Sequence, residues 1–478
     1  MLRGRWQFGG FVVSDCGAVE NIATAFHYNR TLAEASATAV AAGCDTECGG
    51  AYHHLNESLA AGMLKQSDVE TALQRMLTQH FALGRFDPDP GSNPYRQIPR
   101  SAVGSSAHLN LAQQAAEAGT VLLKNVDKRL PLVGTPKVAV VGSAGNDSLV
   151  LLGNYHGAPY RNMVSTPLDA IVDKVGADRA SFAPGAWPSG EGTWAFGDAI
   201  AAAAAADVVL ITVGSDSKGT LNGFTYYTTV EKESMDRKSI ELPGMQLDLV
   251  KAIASQTKTP IICVLVHGGP LDISELIAMP RVEAVLSIGY PGQRGGVALA
   301  NVLWGISPPS GRLTMTWPFA NYTTQVSEAS MAMRVWPGRT HRFIQVPVLF
   351  PFGFGLQYTE FEHSLVASPV DTAGTPPDRW IAKCNVTNVG DTASAHVALL
   401  FGVPPSNTGQ SGGVSASLPR QVLLGFERLG VIEPNATVHH TFDLVPRHWQ
   451  LSDRSGVQQH MPGCWSLVLE RASAELCV

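Results

Sequence analysis

Strand-length apolar runs alternate with helical segments between residues 106 and 330, and this alternation constrains the fold most. The predicted strands are 120–123, 138–141, 208–213, 261–266 and 282–288, and the predicted helices are 107–118, 198–206 and 244–255. Continuous apolar runs are typical of strands that are buried on both faces, and helical crossovers join parallel neighbours. The sequence therefore predicts an α/β domain with a mostly parallel sheet covered by helices on both sides.

The regions before this domain have a different composition. Residues 1–85 alternate predicted strand and helix, with helices from 31 to 42 and from 67 to 83. Residues 86–105 are rich in Pro, Gly and Ser and are predicted to be an interdomain linker.

The regions after it differ again. Residues 331–360 are predicted to be an irregular connecting segment. Residues 361–478 contain a Ser/Gly/Pro-rich loop at 403–419 and short runs in which apolar and polar residues alternate. These runs are 380–386, 396–401, 421–426, 437–444 and 464–469. Short alternating strands separated by turn residues predict a small antiparallel β-sandwich.

Composition excludes several classes of partner. The chain has 478 residues, a net charge of −6 and no Lys/Arg-rich run. These features argue against nucleic acid and anionic membranes as partners. No apolar run reaches the roughly 18 residues that a membrane-spanning helix needs.

The N-glycosylation sequons and the cysteines indicate the cellular compartment in which the protein resides. Six N-glycosylation sequons begin at Asn29, Asn56, Asn146, Asn321, Asn385 and Asn435. Together they favour an extracellular glycoprotein. Residues 1–10 lack the apolar core of a signal peptide, so we expect the natural chain to begin upstream. Among the seven cysteines, a disulfide or two is plausible, whereas Cys44 and Cys48 lack the second ligand pair of a zinc site.

Two acidic features are candidates for chemistry. Asp15 follows the apolar run 11–13, which we interpret as a buried strand with a carboxylate at its tip. An Asp in such a place is also a common helix cap. Glu231 and Glu233 lie in the acidic run 229–237, after a long polar loop that follows the strand 208–213. Such a run is often only solvated, but glycoside hydrolysis needs two carboxyl groups, and these residues could supply them.

Nucleotide chemistry is a weaker alternative. Residues 141–145 (VGSAG) follow a predicted strand, but they lack the spacing of a dinucleotide-binding loop. We therefore interpret them as a tight strand-to-helix turn and expect no bound cofactor and no metal.

Several motifs, in order along nearly the whole chain, resemble those of glycoside hydrolase family 3, in its fungal and plant β-xylosidase branch. They are GFVVSDCGAV at 10–19, AGCDTECG at 42–49, VLLKN at 121–125, LPL at 130–132, GNYHG at 153–157, GYPGQRGG at 289–296, PSGRLTMTWP at 309–318 and PFGFGLQYT at 351–359. Position 17 is Gly where that branch usually has Asp.

The resemblance implies a retaining, exo-acting β-xylosidase that releases xylose from the ends of xylo-oligosaccharides. It implies Asp15 as the nucleophile and Glu231, or else Glu233, as the general acid/base, with a raised pKa. It also implies that 1–85 is the C-terminal remnant of a (β/α)8 barrel and that 361–478 is a fibronectin-III-like domain. The sequence leaves open whether this chain is active or is a non-catalytic carbohydrate-binding or interaction remnant of such an enzyme. It also leaves open the choice among xylose, arabinose and glucose, and the oligomeric state.

Overall fold

A computed structural model describes residues 1–88, 91, 93–157, 159, 163–217, 220–221, 224–225, 230–233, 235–327, 329–370, 377–405, 418–453 and 455–478. The chain forms two compact units, Met1–Gly104 and Ser105–Val478. Among the described residues, none of the helices has the length and apolar character required to cross a bilayer.

The first unit is a small group of helices: α1 (Ala18–Thr24), α2 (Leu32–Ala41), α3 (Leu55–Ala60) and α4 (Gln66–Ala82). The predicted helices at 31–42 and from 67 correspond to α2 and α4. Thr31 caps α2 by accepting a hydrogen bond from the backbone N–H of Glu34. Small side chains fill the contact between α1 and α2, with Ala23, Ala35 and Ala39 all buried. Their small size lets the two helices approach closely.

The predicted buried strand at 11–13 is wrong. Val13 makes a single parallel bridge to Thr46, and 54% of Val13 is exposed. The carbonyl oxygen of Val12 accepts hydrogen bonds from the backbone N–H groups of Asp45 and Thr46. The apolar pattern suggested a strand buried between neighbours, but this segment has a backbone neighbour on one side only among the residues described.

The second unit is built on a six-stranded sheet with strand order β1-β8-β7-β4-β2-β3. Its strands are β1 (Val121–Asn125), β2 (Val138–Val141), β3 (Ala180–Ala183), β4 (Val208–Gly214), β7 (Ile261–Val266) and β8 (Val282–Ser287). Only β1 is antiparallel to its neighbour. The prediction of a mostly parallel sheet is therefore confirmed. The short pair β5 (Thr220–Leu221) and β6 (Phe224–Thr225) lies between β4 and β7 in the chain.

Helices cover both faces of this sheet. They are α5 (Ser106–Gly119), α6 (Pro167–Val175), α7 (Phe196–Ala204), α8 (Gln246–Gln256), α9 (Ser274–Ala278) and α10 (Gly295–Leu303). Successive residues of β4 contribute to opposite cores: Leu210 packs in one and Ile211 in the other. This alternation follows from the two-residue period of a strand, and it requires every residue of β4 to be apolar or small.

Antiparallel strands form the C-terminal part, as predicted. One sheet has the order β11-β12-β15 and a second has β14-β13-β18-β19. After β9 (Trp317–Pro318), α11 (Thr340–Phe343) and β10 (Val348–Phe350), the strands are β11 (Phe361–Pro369), β12 (Trp380–Asn388), β13 (Ser394–Val403), β14 (Val422–Ile432), β15 (Thr437–Leu444), β16 (Gln450–Ser452), β17 (Gln458–His460), β18 (Cys464–Leu469) and β19 (Ala472–Cys477). Trp380, Trp449 and Trp465 pack in contact in their core.

Some elements differ from the expectation. The strands β3, β11, β16, β17 and β19 were not predicted. Segment 331–360 contains α11 and β10 and is not wholly irregular. Most of the predicted loop 403–419 lies outside the described residues, since 406–417 are not among them.

Candidate functional site

A cavity of about 580 Å³ lies at the carboxyl edge of the parallel sheet. Loops that follow β2, β4, β7 and β8 form it. Open α/β sheets bind ligands at this edge. Its lining includes Asn154, Tyr155, Ser217, Glu231, Lys232, Glu233, Met235, Asp236, Arg237, Ile240, Gly268, Gly269 and Tyr290. The cavity therefore brings together both glutamates that the sequence singled out.

Glu231 is held at both carboxylate oxygens. Its Oε1 accepts hydrogen bonds from Ser215 Oγ at 2.7 Å, Tyr290 OH at 2.8 Å and the backbone N–H of Gly268 at 2.7 Å. Its Oε2 lies 2.6 Å from Arg237 Nε. Two of these partners lie in the same connection as Glu231 and the other two follow β7 and β8, so three loops together fix this side chain in one position.

Glycines make this arrangement possible. Gly214 ends β4 with φ 144°, and a Cβ there would lie 1.9 Å from the carbonyl oxygen of Val266. The close approach of the chains lets Ser215 follow directly and reach Glu231. A Cβ on Gly268 would lie 2.7 Å from Glu231 Oε1 and 3.0 Å from the Tyr290 ring. Position 268 must therefore lack a side chain for its N–H to reach the carboxylate.

The electrostatics of Glu231 differ from the expectation. Burial by itself raises the pKa of Glu231, but the Ser215 hydroxyl, the Arg237 guanidinium, the Tyr290 hydroxyl and the Gly268 N–H outweigh it. The net result is a pKa below the usual value for glutamate, because these partners favour the charged form. The predicted raised pKa is therefore wrong for Glu231, and this carboxylate is unsuited to hold a proton.

Glu233 lies at the same cavity in a contrasting environment. Its side chain is exposed, and its backbone N–H donates to Asn154 Oδ1 at 2.6 Å. Among the described residues, its carboxylate has no hydrogen-bond or ion-pair partner. The loop thus holds Glu233 by its backbone and leaves its carboxylate available to a ligand.

Two buried donors at the cavity also lack protein partners. Arg237 Nη1 and Ser217 Oγ have no hydrogen-bond partner in the part of the chain that the structure describes. Leaving a buried donor unpaired costs about 1–3 kcal/mol. Hydroxyl groups of a ligand could satisfy both donors.

His267 lies beneath the cavity and is neutral. Its Nε2 is 2.8 Å from Ser287 Oγ, and its ring packs edge-on against Trp317. Burial lowers the pKa of His267 to about 4, against the smaller opposing effects of the Gly269 backbone and of the Glu231 charge. Sequence reasoning missed this residue, although a histidine directly after the buried strand β7 was visible.

Asp15 lies in the first unit, on an exposed segment. Its Oδ1 accepts a hydrogen bond from the backbone N–H of Cys16 at 2.9 Å. Cys16 forms a disulfide with Cys48, and the N–H of Gly17 donates to the Cys48 carbonyl oxygen. Gly17 precedes α1 with φ 74°, a conformation that favours glycine. The disulfide also removes Cys48 from any metal site.

Asp45 supports this segment and was not singled out as a functional residue by the sequence. Its carboxylate is buried and pairs with Arg3 and with Arg75, the latter at 3.0 Å. It also accepts a hydrogen bond from the backbone N–H of Val12 at 2.8 Å. Asp45 thereby links the segment before Asp15 to α4, which carries Arg75.

One group of potential metal ligands occurs among the described residues, namely Cys464, Glu475 and Cys477. The two cysteines form a disulfide with each other, so they are not available as thiolate ligands.

Comparisons with known proteins agree with this architecture. The profile of the glycosyl hydrolase family 3 C-terminal domain matches residues 120–358, and that of the family's N-terminal domain matches residues 1–79. Beta-D-xylosidase 1 of Arabidopsis thaliana is 35% identical over 466 residues, which are 90% of this chain and 57% of that protein. A probable exo-1,4-beta-xylosidase of Aspergillus clavatus is 36% identical, over 91% of this chain and 56% of its own.

Solved structures give the same result. A GH3 exo-beta-xylosidase (XlnD) in complex with a xylobiose aziridine probe superposes with a TM-score of 0.88 and 30% identity, over 100% of this chain and 62% of its own. A beta-glucosidase from Listeria innocua has a TM-score of 0.78 at 22% identity, covering 100% of this chain and 64% of its own, and shares the fold. This chain spans a little over half the length of the curated relatives it matches. It belongs to glycosyl hydrolase family 3.

Proposed function

We propose that this chain carries the catalytic residues of a retaining, exo-acting β-xylosidase that releases xylose from xylo-oligosaccharide ends. The observation that carries the proposal is Glu233 at the cavity, held by its backbone, with a carboxylate that has no partner among the described residues. The substrate class rests on the relatives, whose names are those of β-xylosidases.

We assign the nucleophile to Asp15 and the general acid/base to Glu233. An Asp15 oxygen attacks the anomeric carbon while the bond to the leaving oxygen breaks and Glu233 donates its proton to that oxygen. Glu233, now a carboxylate, then takes a proton from the water that attacks the glycosyl-enzyme. Cleavage of the ester releases xylose with retained configuration and restores Asp15.

Glu231 has a positioning role in this proposal. Its ion pair with Arg237 and its three hydrogen bonds favour the carboxylate, so it cannot readily donate a proton. The same contacts fix the start of the loop on which Glu233 lies two residues later. This assignment reverses the order of preference that the sequence suggested for the two glutamates.

The unpaired donors at the cavity support a saccharide ligand. Arg237 Nη1 and Ser217 Oγ would bind sugar hydroxyls, which accept hydrogen bonds without bringing charge into the site. We propose that they contact the leaving-group sugar.

The two glutamates can be separated by kinetics on an aryl β-xyloside. Glu233→Gln should lower kcat/KM by about a thousandfold, as expected for loss of general acid/base catalysis. Glu231→Gln should lower kcat/KM by roughly tenfold, because the substitution weakens the contact to Arg237 and so affects Glu233 only indirectly, through the loop. Asp248→Asn, an exposed carboxylate on α8, is the matched control and should leave the rate unchanged.

Azide provides a second readout. With an activated aryl leaving group, azide can replace water as the nucleophile and needs no general base. It should therefore restore turnover to Glu233→Ala and not to Glu231→Ala. If azide restored turnover to Glu231→Ala and not to Glu233→Ala, Glu231 would be the general acid/base and Glu233 the positioning residue.

Asp15 is tested by covalent trapping. A mechanism-based xyloside inactivator should label the folded chain at Asp15, as located by peptide mass spectrometry, and Asp15→Asn should remain unlabelled. Glu70→Gln, an exposed carboxylate of α4, serves as the control. A folded chain with neither turnover nor labelling would contradict the catalytic proposal and favour a carbohydrate-binding role.

We further propose that the protein is an extracellular glycoprotein with a fibronectin-III-like C-terminal domain. The disulfides Cys16–Cys48 and Cys464–Cys477 support an oxidising compartment. The sequon residues Asn321, Asn385 and Asn435 are exposed. Expression through a eukaryotic secretory pathway should give a mass that falls on enzymatic removal of N-glycans.

A further inference from the structure

Two tryptophans lie together in the loop 184–195, which follows β3. Trp194 is 64% exposed, and Trp187 is half-buried. Their ring centroids are 5.7 Å apart, with the planes inclined at 45°. Exposing an indole to water is unfavourable, and clustered exposed aromatic surface commonly marks a binding site.

The loop is fixed to the candidate site by a buried glutamine. Gln246 Nε2 donates to the carbonyl oxygens of Pro188, at 3.1 Å, and of Gly214, at 2.7 Å. Its Oε1 accepts from the N–H of Gly214 at 2.8 Å. Gly214 directly precedes Ser215, which holds Glu231, so one side chain connects the tryptophan loop to the framework of the cavity.

The strand order of the sheet determines how far the carboxyl end of β3, where the tryptophan loop begins, lies from the carboxyl end of β4. The strand β3 is outermost in the sheet and lies two positions from β4, and both are parallel to β2 between them. The two carboxyl ends are therefore at the same edge and roughly 10 Å apart by strand spacing. A short run of linked sugar units can span that distance.

We infer that Trp187 and Trp194 form an outer binding surface for the sugar units of a β-1,4-linked xylo-oligosaccharide that extends away from the cavity. The ligand class rests on the proposed function. The faces of a pyranose ring carry C–H groups and pack on indole, and xylose has no hydroxymethyl group to obstruct either face. Glu191 and Thr193 are exposed in the same loop, and their polar side chains can bind hydroxyl groups.

Calorimetric titration of the full chain with xylobiose and with xylohexaose tests the inference, and every variant is made in the Asp15→Asn background so that neither ligand is cleaved. The chain with all its tryptophans intact, the wild type of this comparison, should bind the hexaose more tightly than the biose. Trp194→Ala should weaken hexaose binding about tenfold, because the stacking surface is lost. Biose binding should change less than twofold. Trp336→Ala, which removes another exposed tryptophan of similar exposure, is the control and should bind both ligands as the wild type does.

Equal affinity of the wild type for the two ligands would overturn the inference. Unchanged hexaose binding by Trp194→Ala would do the same, provided its circular dichroism matches the wild type. Trp194→Phe keeps an aromatic face and should recover part of the affinity. Since binding needs no turnover, length-dependent binding together with no turnover by the chain that retains Asp15 would contradict the proposed function and leave this surface supported.

Discussion

The segment that carries Asp15 and the loop that carries Glu233 are stabilised in different ways. Asp15 lies on a stretch with one backbone bridge, and its neighbours are fixed by a disulfide and by the buried Asp45. Glu233 lies on a loop whose start is fixed by four side-chain and backbone contacts to Glu231. One region therefore depends on a covalent link and one carboxylate, and the other on a distributed polar network.

Because the two regions are stabilised differently, we expect them to respond differently to the substitution of a single residue. The disulfide is a single covalent constraint, whereas Glu231 has four partners, so the loss of one of these partners leaves three in place. The four predictions below test this contrast, from the largest expected effect to the smallest.

Removal of the Cys16–Cys48 disulfide should have the largest effect. The bond closes a sequence separation of 32 residues, for which chain entropy gives about 3–4 kcal/mol. In Cys16→Ser/Cys48→Ser, amides around Asp15 should lose protection from hydrogen exchange, while those of β4 keep theirs. Cys464→Ser/Cys477→Ser is the matched control, and it should leave the Asp15 segment protected.

Asp45→Asn should destabilise the first unit by about 3 kcal/mol, because it replaces charge-assisted contacts to two arginines by weaker neutral ones. Denaturant unfolding followed by hydrogen exchange in α4 and at Val12 would measure this. Glu70→Gln, an exposed carboxylate of α4, is the control. An unchanged Val12 amide would mean that Asp45 does not stabilise the Asp15 segment.

Acidification should weaken the region beneath the cavity through His267. Its folded pKa is about 4, below its ordinary value of about 6.5, so the unfolded chain takes up a proton first as the pH falls. Stability is therefore fully present above pH 6.5 and is lost toward pH 4, by about 2 kcal/mol between pH 7 and pH 5.

This pH effect is measured as the free energy of unfolding of the second unit at each pH. His267→Gln cannot take up the proton, and its stability should vary less over the same range. An identical pH dependence in the variant would show that another group is responsible.

Gly268→Ala should have the smallest effect on stability, about 1 kcal/mol, because Glu231 and Tyr290 must shift to admit the Cβ. The remaining contacts to Glu231 should preserve the fold. The activity should fall more than the stability, since the loop bearing Glu233 moves. Gly430→Ala is the control, because a Cβ there meets nothing within 4 Å.

The parallel sheet was predictable because burial on both faces leaves a strong signal. Every residue of β7 is apolar and buried, so its run of six could be recognised without a structure. The strand β3 was missed because it is four residues long, only partly buried and at the sheet edge. The buried strand predicted at 11–13 was wrong because apolar residues do not guarantee burial: Val13 is largely exposed.

The sequence by itself determined the family motifs, the mostly parallel sheet and the candidates Asp15, Glu231 and Glu233. Only the tertiary structure distinguished the environments of the two glutamates, which are two positions apart in one acidic run. Their difference depends on partners far away in sequence, above all Tyr290 and Gly268, that converge on Glu231 and leave Glu233 exposed. A carboxylate's readiness to hold a proton is set by such neighbours, and neighbours are decided by packing.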